Sequence, residues 1–229
     1  MKVTRTWLEN YIDITNTTHE LCHDLTMAGL EVDDILKINN DDVIDIDLTP
    51  NRSDCLSVKG IARELNSINS QYKYKSKEEK NKPNPTCKNT GAEIKILENI
   101  ICPRYGYMYL ENISSTCSAP KYIKKRLNDI GIALVHPIVD ILNYIMIDIG
   151  QPMHAYDADK INGEITIRQV KDKEIMMALD GNEYQLNSEN TVVSDSSQIM
   201  ALAGIIGAEK SSVSKNTKNI LVESAFFLP

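Results

Sequence analysis

The sequence predicts an α+β fold in which a small N-terminal unit of helices and strands precedes a larger mixed β-sheet domain with few helices. Apolar residues recur at helical spacing within residues 1–70, whereas short segments rich in β-branched and aromatic residues follow residue 90. The 229 residues, 42% of them hydrophobic, are enough to form buried cores. We therefore expect a globular protein with one large domain or two small ones.

The N-terminal unit is predicted from three consecutive patterns. Thr17 and Glu20 have the spacing of a capping box, and Gly29 ends the helix that follows. The string VIDIDLT alternates apolar and acidic residues, as a half-buried strand does. The string NRSDCLSVKGIARELNSI then returns to helical spacing. Residues 1–70 are thus expected to form a helical unit with one or two strands.

The composition changes over residues 71–90, which hold six lysines and two prolines and predict a linker or exposed loop. Strands are expected in five strings of the domain at residues 91–229: EIKIL, RYGYMYL, EITIRQV, NTVVSD and NILVESAF. One helix interrupts them, in SAPKYIKKRLNDIG. Asp180-Gly181 suits a tight hairpin turn.

Charge and cysteine content exclude several classes of protein. With 25 Lys+Arg against 32 Asp+Glu, the net charge of −7 argues against a stand-alone nucleic-acid binder, so any RNA contact would be local. The five cysteines form no Cys-x-x-Cys pair, which predicts no zinc site, no disulfide framework and a cytoplasmic setting. There is no glycine-rich phosphate loop, signal peptide or membrane-spanning apolar segment.

His154, in the string IGQPMHAYDADK, has several possible roles. It could be a polar residue in a loop, or it could bind a metal together with Asp157 and Asp159. That trio offers a single nitrogen ligand and no second cluster, so a loop that hydrogen-bonds itself is favoured over a metal site. Spacing does not exclude a Ser-His-Asp triad, although the chain has no Gly-x-Ser-x-Gly elbow.

Glu223 is the second candidate. A strand over NILVESAF places Leu221, Glu223 and Ala225 on one largely apolar face. Glu223 is then either a buried carboxylate that needs a hydrogen-bond donor or a shifted pKa, or a strand-end residue that reaches solvent. Nearby, Gly204 and Gly207 would allow a backbone or a ligand to approach closely.

Three long strings, TPNRSDCLS, GQPMHAYD and ALAGIIG…VESAFF, resemble the beta subunit of bacterial phenylalanyl-tRNA synthetase, and the similarity runs along nearly the whole chain. The resemblance implies a hydrolytic editing site that removes tyrosine wrongly attached to tRNA(Phe). It implies catalytic roles for His154 and Glu223. It implies substrate-binding roles for four further residues: Asn143, Pro152, Gly204 and Gly207.

The resemblance also implies a partner alpha subunit that holds the ATP and phenylalanine sites. ATP and Mg²⁺ are therefore expected for the whole synthetase, and no cofactor or metal is expected in this chain. Glu223 would accept a hydrogen bond from the phenolic hydroxyl that distinguishes tyrosine from phenylalanine. His154 would orient water or assist proton transfer, because the intrinsic pKa of histidine lies near neutrality.

Three differences from the family keep alternatives open. Only LKINNDD stands where an oligonucleotide-binding barrel is usual, Leu142 replaces the threonine before Asn143, and the chain ends at Pro229, before the segment that completes the pocket. We expect either a fragment or the product of a reduced gene. The chain could be part of an editing beta subunit, or a non-catalytic module that binds RNA or protein. A free-standing trans-editing hydrolase would need a closed pocket that this length does not supply.

Overall fold

The computed structural model describes residues 1–75, 94–96, 101–114 and 117–228. It confirms the predicted α+β class, since five α-helices and thirteen strands occur in these ranges. The chain packs as two units, one from residues 1–83 with 118–152 and the other from 84–117 with 153–229. Most of the predicted linker, beyond Lys75, lies outside the described residues.

The first unit contains a three-stranded antiparallel sheet in the order β1-β3-β2. Its strands are β1 (Lys2–Thr4), β2 (Glu31–Ile38) and β3 (Asp41–Asp47). Its helices are α1 (Arg5–Leu8), α2 (Thr18–Met27), α3 (Val58–Ile68), α4 (Lys121–Asp129) and α5 (Pro137–Ile149). The sequence predicted one or two strands before residue 70 and there are three. In β2 a bulge between Val32 and Asp34 interrupts the alternation that would have revealed a strand.

Two of these helices follow their sequence signals closely. The Glu20 backbone N–H donates to the Thr17 hydroxyl at 3.2 Å and the Thr17 N–H donates to the Glu20 carboxylate at 2.9 Å, so the capping box at α2 is confirmed. Gly29 follows that helix with a φ of +88°. Helix α3 buries Ile61 and Leu65 completely in the core of the unit.

Helices α4 and α5 pack with the first unit, whereas the sequence placed 91–229 in one domain. The Trp7 ring stacks on Tyr144 of α5 with 4.9 Å between centroids and 8° between planes. The Trp7 indole N–H and the Tyr11 hydroxyl both donate to the Asp148 carboxylate at 2.7 Å. These contacts explain why residues 118–152 join the N-terminal unit.

Helix α5 was not predicted. The one helix that the sequence indicated after residue 90 is α4. The α5 string, PIVDILNYIMIDI, is apolar around most of the helix and therefore lacks the amphipathic period that marks α4. The helix begins with Pro137 at its first position and is followed by Gly150 at a φ of +83°. Pro137 and Gly150 were therefore the available signals.

The second unit is built mainly from strands. These are β4 (Ile94–Ile96), β5 (Arg104–Leu110), β6 (His154–Asp157), β7 (Ile165–Gln169), β8 (Ile175–Met177), β9 (Glu183–Gln185), β10 (Thr191–Ser194), β11 (Ile199–Leu202), β12 (Ile206–Gly207) and β13 (Ile220–Phe226). All five strands predicted from the sequence are present. The β8–β9 hairpin turns at Asp180-Gly181, as predicted, with Gly181 at a φ of +80°.

Two sheets form the body of this unit. One has the order β12-β11-β10-β7-β4, in which only β4 and β7 run parallel, and the other is the antiparallel sheet β5-β13-β6. Tyr156 and Leu221 from the second sheet share a buried cluster with Ile167 and Val193 from the first. Among the helices in the described ranges, none has the length and apolarity to cross a bilayer.

Candidate functional site

The sheet β5-β13-β6 brings His154 and Glu223 side by side. His154 lies on strand β6, not in a loop, and is the direct register partner of Glu223 on β13. Directly opposed residues in an antiparallel pair point to the same face with Cβ atoms about 5 Å apart. Two residues that are far apart in the sequence are therefore neighbours on one face of a three-stranded sheet.

The Glu223 carboxylate is buried, with 7% of its surface exposed, and is held by two tyrosines. The hydroxyls of Tyr105, on β5, and Tyr156, on β6, each donate to Oε2 of Glu223 at 2.7 Å. No described residue donates to Oε1. The two oxygens of this carboxylate thus have different environments, and the strand-end alternative for Glu223 is excluded by its burial.

The His154 ring lies against glycine and aromatic neighbours. It meets the Tyr156 ring edge-on, with 4.5 Å between centroids and 76° between planes. A Cβ placed on Gly207 would lie 2.6 Å from Cε1 and 2.7 Å from Nε2 of His154. Real Cβ contacts of that length do not occur, so the absence of a side chain at Gly207 makes room for the imidazole.

His154 Nε2 is the single fully buried side-chain nitrogen or oxygen without a hydrogen-bond partner among the residues that the structure describes. Leaving such a group unpaired costs about 1–3 kcal/mol, and native proteins satisfy nearly all of them. An orphan of this kind calls for an explanation, and a polar group bound beside it is one such explanation. Oε1 of Glu223 has no donor among the described residues either, but it is not one of the fully buried atoms without a partner. Oε1 is therefore partly exposed.

Burial shifts the pKa of every ionisable group in the cluster. It lowers the pKa of His154 from 6.5 to about 4, so the imidazole is neutral at pH 7. Burial raises the pKa of Glu223, and the hydrogen bonds from Tyr105 and Tyr156 oppose that rise. Burial and the adjacent carboxylate raise the pKa of both tyrosines, which therefore remain hydrogen-bond donors. The site combines a neutral imidazole with a carboxylate stabilised by two phenols.

Of the other sequence candidates, Gly207 joins this cluster and Gly204 does not. Gly204 has a φ of +71° in a turn before β12, and a Cβ there would meet the Phe227 ring at 3.5 Å. It lines a separate cavity of about 600 Å³ together with Ile205. Asn143 lies on α5 and Pro152 is the last residue of the first unit, so both belong to the other unit.

Two groups of potential metal ligands in the described residues have protein partners. Asp157 accepts hydrogen bonds from the Thr217 hydroxyl at 2.6 Å and the Asp159 backbone N–H at 3.2 Å, and only the second of these bonds is local. In the described ranges, one group of three ligand atoms lies within 4.8 Å of one another: Asp54, Cys55 and Glu64. The Arg52 guanidinium contacts both carboxylates of that group, at 3.0 and 2.9 Å. It supplies the positive charge there.

Sequence reasoning missed Tyr105 and Tyr156, the two groups that hold Glu223. Both occur in candidate segments, RYGYMYL and HAYD, and in the first of these tyrosine alternates on one strand face. Strand pairing was not known, so the sequence could not show which face met Glu223. Leu179 was also missed, and its Cδ1 lies 3.0 Å from the position of a Gly207 Cβ.

Comparisons with known proteins identify the family of this chain. Residues 101–229, more than half of the chain, match the model of the B3/4 domain family. The chain belongs to the B3/4 domain family. This B3/4 chain is 39% identical over 203 residues to the phenylalanine–tRNA ligase beta subunit of Photorhabdus laumondii subsp. laumondii, covering 88% of the chain and 25% of that protein.

Other relatives bear the same name. The beta subunit of Haemophilus ducreyi is 40% identical over 201 residues, covering 88% of the B3/4 chain and 25% of the relative. That of Aquifex aeolicus is 40% identical over 207 residues, covering 90% and 26%. A crystal structure of an N-terminal fragment of the phenylalanyl-tRNA synthetase beta subunit from Pyrococcus horikoshii is 18% identical, with a TM-score of 0.48 and coverage of 98% of this chain and 67% of that one.

The resemblance inferred from the sequence is thus confirmed, and the B3/4 chain spans about a quarter of the length of these curated relatives.

Proposed function

We propose that this chain acts as part of a phenylalanine–tRNA ligase beta subunit and hydrolyses the ester of tyrosine mistakenly attached to tRNA(Phe). The observation that carries the proposal is the pairing of Glu223 and His154 on one sheet face, where no described residue forms a hydrogen bond with Oε1 or Nε2. A phenolic hydroxyl and a water are the polar groups that such a pair would bind.

Glu223 acts as the selector. Oε1 accepts the hydrogen bond of a tyrosine hydroxyl, whereas a phenylalanine ring covers the same oxygen and leaves it unpaired. A site built to bond a hydroxyl rejects the analogue without it by as much as ~10⁴-fold, because the unpaired group carries its full desolvation cost.

His154 acts by orienting water. With a pKa near 4 it is a weak base at neutral pH, so positioning through Nε2 outweighs proton abstraction. The oriented water attacks the ester carbonyl carbon and releases its protons to solvent, the bond from that carbon to the ribose oxygen breaks, and the leaving oxygen takes one proton from solvent. Free tyrosine and tRNA(Phe) are the products. Asn143, Pro152 and Gly204 are proposed as substrate-binding residues on the resemblance alone.

Aminoacylation in this proposal belongs to the complete ligase. The chain would work with an alpha subunit that binds ATP, Mg²⁺ and phenylalanine, and with tRNA(Phe) as the shared substrate, in the cytoplasm. The glycine-rich phosphate loops that a nucleotide site in this chain would use do not occur in its sequence. The proposal therefore assigns no cofactor to this chain.

Deacylation of Tyr-tRNA(Phe) tests the proposal. We expect the purified chain to hydrolyse Tyr-tRNA(Phe) faster than buffer and to leave Phe-tRNA(Phe) intact. Glu223→Ala should abolish the preference for the tyrosyl ester, and His154→Ala should lower the rate on it. Glu183→Gln removes an exposed carboxylate of β9 in the same unit and serves as the control. No hydrolysis together with retained tRNA binding would instead indicate the non-catalytic module.

A further inference from the structure

We propose that Tyr105 and Tyr156 are positioning residues that reserve Oε2 of Glu223 for the protein and leave Oε1 for the phenolic hydroxyl of the substrate. This inference rests on the proposed function of Glu223 as selector. It adds two specificity-determining side chains to the site, neither of which the sequence indicated.

The strand register explains how both tyrosines reach one oxygen. Tyr105 opposes Ala225 and Tyr156 opposes Leu221, so each stands diagonally to Glu223, one from β5 and the other from β6. Diagonal neighbours on one sheet face lie about 7–8 Å apart, within reach of an aromatic side chain. Glu223 is therefore held from both flanking strands at once.

The hydrogen-bond capacity of a carboxylate oxygen makes this arrangement selective. Each oxygen has two lone pairs, and Oε2 already accepts two hydroxyl hydrogens, both at 2.7 Å. A third donor must therefore use Oε1. The same two bonds prevent the carboxylate from rotating, since rotation would exchange the oxygens and break both.

Burial ensures that the two phenols stay donors. Tyr156 is fully buried, and the pKa of each tyrosine is raised, so neither deprotonates near neutral pH. Both hydrogen bonds favour the ionised form of Glu223 against the opposing effect of burial. Removing one hydroxyl should free a lone pair on Oε2, loosen the carboxylate and raise the pH needed to ionise it.

The test uses Tyr105→Phe and Tyr156→Phe, because each removes a hydroxyl and keeps the ring. Deacylation of Tyr-tRNA(Phe) and Phe-tRNA(Phe) is measured as a function of pH. We expect each variant to lose about tenfold in the ratio of tyrosyl to phenylalanyl hydrolysis. The acid limb of the pH profile should move to higher pH in both. Tyr109→Phe is the matched control, since Tyr109 shares the strand and face of Tyr105 but does not bond Glu223.

The possible failures are distinguishable. If the wild-type chain hydrolyses neither ester, the proposed function fails and this inference fails with it. If the wild type is active but both phenylalanine variants keep its rate ratio and pH profile, only the positioning role is overturned. If one variant folds poorly, the other variant provides the test. In a folded variant, a ¹³C-NMR titration of the Glu223 carboxyl should show that loss of a tyrosine hydroxyl raises the pKa of Glu223. An unchanged carboxyl titration in the folded variant overturns the inference.

Discussion

Protonation of His154 should destabilise the fold between about pH 6.5 and pH 4. The pKa of this imidazole is 6.5 in the unfolded chain and about 4 in the folded chain, because burial disfavours its charged form. Below about pH 6.5 the unfolded state therefore binds more protons than the folded state. The fold is fully stable above that pH and loses stability as the pH falls below it. At about 1.4 kcal/mol per unit of pKa, the loss reaches about 3 kcal/mol near pH 4.

The assay compares urea unfolding of the wild-type chain and His154→Gln near neutral pH and near pH 4. Glutamine has no proton to gain in this range, so the difference in unfolding free energy between the two proteins should change by about 3 kcal/mol. Carboxylates remote from His154 that titrate in the same range affect both proteins and cancel in the comparison. A ring-NMR titration measures the His154 pKa directly. A His154 pKa of 6 or above, or an equal loss of stability in both proteins, would refute the claim that burial keeps this imidazole neutral.

Three further substitutions test other parts of the structure. Gly207→Ala should displace the His154 ring and lower Tyr-tRNA(Phe) deacylation by about 100-fold. The displacement should appear as a changed NMR signal of the His154 ring in a protein that still folds. Gly60→Ala puts a Cβ 2.1 Å from the backbone oxygen of Asp54 and should lower stability by about 3 kcal/mol in thermal unfolding, whereas an unchanged melting temperature would contradict this packing. Thr17→Ala should cost about 1 kcal/mol by removing the cap of α2, and Thr17→Ser should restore most of it.

Local sequence patterns predicted the elements whose signals are local. The capping box at Thr17, the helical spacing of α3 and the turn at Gly181 each depend on residues a few positions apart, and each is confirmed. Helix α5 escaped because it is apolar on nearly every side, so its period was absent although Pro137 and Gly150 marked its ends. A hydrophobic run of that kind does not distinguish a buried helix from a strand.

The candidate site was only partly predictable, since its partners are set by strand pairing. A strand pattern placed Glu223 on an apolar face, and burial of that residue is confirmed. The pattern did not indicate that β6 and β5 would flank it, and so it did not reveal the tyrosines that satisfy the carboxylate. From the sequence alone, His154 was expected to have the near-neutral pKa of an ordinary histidine. Burial lowers the pKa of His154 and so favours orientation of water over proton transfer.

The charge on Glu223 determines how strongly the site can distinguish two esters that differ by one hydroxyl. Because both lone pairs of Oε2 are filled by tyrosine hydroxyls, a proton on Glu223 would sit on Oε1, the oxygen left for substrate. A neutral carboxyl left unpaired by phenylalanine costs about 1–3 kcal/mol, which limits discrimination to about 100-fold, whereas an unpaired buried charge costs more. A tyrosyl preference above about 1,000-fold would then require the ionised form, which the tyrosine donors favour. A preference that stays below about 100-fold at every pH would show that burial outweighs them.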